Sequence, residues 1–125
     1  MYKQYKYKMK LFAEWSSVTY SGVKGTCIID IIKVDNEIKV NCSFGYDTDS
    51  KFRPGSLKDY EMICTVFDHR VNIQTELNTI NQLIITLAFD KPVMSGFYAS
   101  VQPIDCGVIK LSGNKAQWKS AFCII

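Results

Sequence analysis

Histidine and arginine are nearly missing from this chain. Thirteen of its 15 basic residues are lysine, only Arg53 and Arg70 are arginine, and the one histidine is His69. A single histidine leaves one candidate base for a Cys–His or Ser–His pair. It stands in Asp68-His69-Arg70, which reads as a polar turn between strands. No G-x-S-x-G elbow is present. Arginine scarcity counts against base readout and bidentate phosphate contacts, which favour the guanidinium fork. The seven glycines are scattered and form neither G-x-x-x-x-G-K-[ST] nor G-x-G-x-x-G, so no phosphate cradle is expected.

Long apolar runs are lacking too. No stretch approaches the roughly 18 apolar residues that span a bilayer. Lysines recur through Lys10, so no signal-peptide core follows Met1. Cys123 stands third from the end, whereas a prenylation box needs cysteine where Phe122 stands. The five cysteines, Cys27, Cys42, Cys64, Cys106 and Cys123, are odd in number and none forms a C-x-x-C pair. A zinc knuckle is therefore not expected, and no cofactor is. Free thiols in a reducing, intracellular compartment are. The metal candidates that remain are Asp47 and Asp49, an Asp-x-Asp at the mouth of a loop, where a calcium site would need several more oxygens.

Helix formers are few. Alanine and leucine number 11 together, against 30 for isoleucine, valine and threonine, whose branched side chains suit a pleated surface. The periodicity agrees. In residues 37–46, Ile38, Val40, Cys42, Phe44 and Tyr46 share one face, with Glu37, Lys39, Asn41 and Ser43 opposite. Residues 4–12 set Tyr5, Tyr7, Met9 and Leu11 against Gln4, Lys6, Lys8 and Lys10. Residues 25–34 are apolar on both faces and read as a central strand. Met62, Cys64 and Val66, then Val71, Ile73, Thr75 and Leu77, then Leu83, Ile85, Leu87 and Phe89 mark further inward faces. In 96–102 the expected inward set is Phe97, Ala99 and Val101, and 106–112 and 116–123 read as the last strands. Asp35-Asn36 and Gly113-Asn114 read as tight hairpin turns, and Ser56-Leu57-Lys58-Asp59 as one capped helical turn.

About eight or nine short strands without a helix predict an all-β, single-domain antiparallel β-sandwich over 1–125, of jelly-roll type, with a closed up-and-down β-barrel as the alternative. The net charge of +3 is unevenly placed: Lys3, Lys6, Lys8 and Lys10 give the first ten residues +4, and the remainder carries −1. Lysines on an edge strand block edge-to-edge pairing. They also offer a contact for anionic surfaces or nucleic-acid phosphates. Tyr98 and Trp118 are candidate exposed rings, able to stack on a sugar or enter a protein interface. With no catalytic constellation in view, the sequence favours a non-enzymatic structural or assembly component acting by protein–protein interaction or self-association. A glycan- or small-ligand-binding module is the alternative. Nucleic-acid or anionic-surface binding through the first strand ranks third.

Overall fold

The computed structural model describes residues 6–34, 37–48, 59–76, 81–89, 93–101 and 104–122. Eight strands run in sequence order: β1 (Lys6–Ser17), β2 (Lys24–Val34), β3 (Glu37–Tyr46), β4 (Asp59–Phe67), β5 (Arg70–Gln74), β6 (Leu83–Ala88), β7 (Ser95–Val101) and β8 (Ile104–Leu111). One helix, α1 (Lys115–Phe122), follows. Each strand pairs antiparallel with the next, and β8 pairs back onto β1 through residues 13–17. The all-β antiparallel expectation holds, and its closed up-and-down barrel form is the one adopted. The two-sheet sandwich is not. Alternating faces serve either architecture; what closes the barrel is the added ladder from Ala13↔Leu111 to Ser17↔Gly107.

The interior is a packed core. Eight strands enclose a space that side chains just fill. Cys27, Ile29, Ile31, Val40, Cys42, Val71, Ile73, Ile85, Leu87 and Ile109 are each at most 1% exposed. The inward faces expected on β3, β4, β5 and β6 are the ones observed, with Leu77 outside the described residues. Strand β2 is flanked by β1 and β3 along its length, with Ile28 outward and Asp30 3.9 Å from Lys10.

Strand β7 has the opposite phase to the one expected. Phe97 is 68% exposed and Val101 49%, while Tyr98 is buried. The reason is local crowding. Tyr98 faces Gly107 across β7–β8, and a Cβ at Gly107 would stand 2.6 Å from the Tyr98 hydroxyl and collide with the Ser16 carbonyl. Only glycine leaves room for the ring, so the tyrosine turns in and the phenylalanine turns out.

Residues 116–123, read as a strand, are largely helix. Asn114 caps it reciprocally. The Gln117 amide donates to Asn114 Oδ1 at 3.0 Å, and the Asn114 amide donates to Gln117 Oε1 at 3.0 Å. This is a capping box, with Gly113 at φ 99° setting the entry. Gly113-Asn114 is therefore a helix start and not a hairpin turn. Trp118, Ala121 and Phe122 recur at helical spacing and join the barrel's hydrophobic core. Trp118 Nε1 donates to the Ser112 carbonyl at 3.0 Å. The Asp35-Asn36 turn lies outside the described residues, although Val34↔Glu37 pairs beside it. Most of the Ser56–Asp59 turn lies outside them as well.

Candidate functional site

The meander gives the barrel two distinct ends. Helix α1 and the β2–β3, β4–β5 and β6–β7 connections share one; the β1–β2, β3–β4, β5–β6 and β7–β8 connections share the other. At this second end an aromatic cluster faces inward. Trp15 meets Phe44, Tyr46 and Tyr98 edge-on with centroids 6.3, 5.7 and 5.9 Å away. Beside them is Asp105, 8% exposed. Its carboxylate accepts from the Ser17 hydroxyl at 2.6 Å and from the Tyr98 hydroxyl at 3.1 Å. Burial, and next the Asp105 charge, push the Tyr98 phenol well above its usual range. The crevice between these rings holds about 30 Å³, room for about one water. Ligand cups are at least tenfold larger. This network ties β1, β7 and β8 together and does not open a cup.

The outer wall is chemically divided. Outward residues of β1–β4 include Lys8, Lys10, Glu14, Lys24, Asp30, Glu37, Lys39, Asp59 and Glu61. The wall of β6, β7 and β8 differs. Cross-strand register sets its outward residues in rows that continue onto β1 and the loop after it: Gln82, Val101, Ile104; then Ile84, Ala99, Cys106, Val18; then Thr86, Phe97, Val108, Ser16; then Ala88, Ser95, Lys110, Glu14. Charge appears only in the last row. Phe97, Ile104 and Val18 are 68%, 74% and 70% exposed. Beside Phe97, the surface dips into a groove of about 650 Å³ lined in part by Ser16, Gly25, Gly96 and Val108. Lys24, Lys110, Glu14 and Asp47 border it. A second depression, about 860 Å³, lies over β3 and β4 among Glu37, Lys39, Asp59 and Glu61.

The residues singled out in the sequence are dispersed. Lys8 and Lys10 are exposed on β1. Lys6 opens the strand with its side chain outside the described residues, and Lys3 lies outside them altogether. Tyr98 and Trp118, expected as exposed rings, are 5% and 1% exposed. One faces a glycine inside the barrel, and the other lies on the buried face of α1. Asp47 borders the outer groove, and its amide donates to the Lys24 carbonyl at 3.0 Å. Asp49 is outside the described residues. Among the described residues no three His, Cys, Asp or Glu side chains group as a metal site. His69 is exposed in the β4–β5 turn, 3.9 Å from Asp68, which holds φ 57°.

Cys27, Cys42, Cys64 and Cys106 are free thiols. Cys27 and Cys42 face inward, and the Cys42 thiol together with burial pushes Cys27 far above the ordinary thiol range, away from a nucleophilic thiolate. Cys106 is exposed in the uncharged wall, its amide donating to Thr19 Oγ1 at 3.0 Å.

Sequence reasoning missed the wall because it depends on phase. Its residues are visible as the apolar content of 95–111, but a one-residue slip exchanges inside for outside. No protein-family model, curated protein or solved structure matches this chain.

Proposed function

We propose that this chain is a non-catalytic structural or assembly component that binds other protein chains through the outward wall of β6, β7 and β8. The observation that carries this reading is the pair of middle rows, which hold Ile84, Val18, Phe97 and Val108 and no charged side chain. Protein interfaces have that character: charge is depleted at the centre and an aromatic anchor stands there, with charge at the rim. Burying such surface is favourable by about 25 cal/mol per Å² before the costs of association. The free thiols suit a reducing compartment. Among the described residues, no helix is long and apolar enough to cross a membrane. The glycan alternative loses the two rings named for it, Tyr98 and Trp118, to the core.

The test compares the tagged chain with its Phe97→Asp variant in extracts of the cells that make it. The wild-type chain is expected to elute in a complex larger than 14.3 kDa, and the variant at its own mass. Identical elution of the two would overturn the reading.

A further inference from the structure

Resting on that reading, we propose that the partner of the wall is a second copy of this chain, related by a two-fold axis, with Phe97 of each copy seated in the other's groove. A two-fold interface uses the same patch twice, so the patch must complement itself. A patch of one charge sign opposes its own image. The two middle rows carry no charged side chain and meet no such repulsion.

The wall also holds both halves of a knob and a hole. Phe97 is 68% exposed and stands at the edge of the groove of about 650 Å³, whose lining runs from β7 and β8 across β1 to β2 and includes small residues such as Ser16, Gly25 and Gly96. The groove's borders carry Lys24 and Lys110 against Glu14 and Asp47. With two cations and two anions, a copy turned through the axis can set acid against base. Area supports a stable pair. Val18, Ile84, Phe97, Val101, Ile104 and Val108 are each at least 41% exposed, together roughly 600 Å² of surface, against the ~800 Å² that each partner buries in a standard interface.

Sedimentation velocity on the purified full chain, across a hundredfold concentration range, tests the pair. Phe97→Asp and Ile104→Lys alter the wall. Phe67→Asp, at a position 78% exposed on β4, is the control away from it. The wild type and the control are expected at about twice 14.3 kDa at high concentration. The two wall variants are expected to associate at least tenfold more weakly, with unchanged circular dichroism. A wild type that stays at 14.3 kDa throughout overturns the second copy as partner. Wall variants that pair as the wild type does overturn this wall as the seat. If the purified chain is a monomer while its complex in extracts still depends on Phe97, the second copy falls and the binding wall stands. If neither depends on Phe97, both fall.

Discussion

Asp105 is the residue whose position is hardest to explain by hydrophobic burial. It is 8% exposed, and its hydrogen bonds come from two hydroxyls, Ser17 and Tyr98. A buried carboxylate costs free energy unless such donors hold it. Removing it leaves the Tyr98 hydroxyl inside with its acceptor gone. Asp105→Ala is therefore expected to destabilise the fold by about 2 kcal/mol in urea unfolding, and Tyr98→Phe by about 1 kcal/mol. Tyr98, with Tyr60, also sets a pH limit. Tyr98 and Tyr60 titrate above their ordinary value near 10, chiefly through burial. The folded state therefore keeps protons that the unfolded state releases. Their contribution is complete below pH 10 and is lost as pH rises through the folded values. Stability is expected to fall above about pH 10, and Tyr98→Phe to flatten that decline; an unchanged slope would exclude Tyr98 as its source.

Among the elements, α1 and β1 show how a few side chains place a segment. The α1 cap is local: Asn114 and Gln117 satisfy each other's amides. Asn114→Ala is expected to cost about 1 kcal/mol. Trp118→Ala should cost about 3–5 kcal/mol, because the indole is 1% exposed and joins the barrel core. Thermal unfolding separates the two, and equal losses would mean that the helix is held by its cap alone. The Asn114-x-x-Gln117 spacing fits a cap, and reading Gly113-Asn114 as a hairpin turn passes over it. Trp118, Ala121 and Phe122 fit a strand's apolar content as readily as a helix face, and a segment this short does not reveal its period. Strand β1 pairs with β2 from Lys6, but its seam with β8 begins only at Ala13. Lys8 and Lys10 stand outward on the stretch before that seam, where lysine discourages a foreign strand from pairing.

Across the described residues, the outer surface has two characters: β1–β4 mix charged side chains with exposed Phe12, Ile63 and Phe67, whereas most of β6–β8 is uncharged. The two kinds of apolar residue in the chain should respond differently to substitution. Phe97→Asp removes a side chain that is 68% exposed, so the folding free energy should change by less than about 0.5–1 kcal/mol while association changes strongly. Ile85→Ala, at 0% exposure inside the same wall, should cost about 2–5 kcal/mol. Chemical denaturation of dilute protein distinguishes them, and comparable losses would mean that Phe97 supports the fold. The amino-acid sequence by itself determined the strand-rich class, the inward faces of β3 through β6 and the basic start of β1. Each follows from side chains alternating along one strand, a period that neighbours in sequence set. Tertiary structure alone decided the closure of β8 on β1, the phase of β7 and the burial of Tyr98, Trp118 and Asp105. Those depend on residues such as Gly107 and Tyr98, or Ser17 and Asp105, meeting across strands. Alternation along a strand says which residues share a face, and only the partner strand says whether that face looks inward.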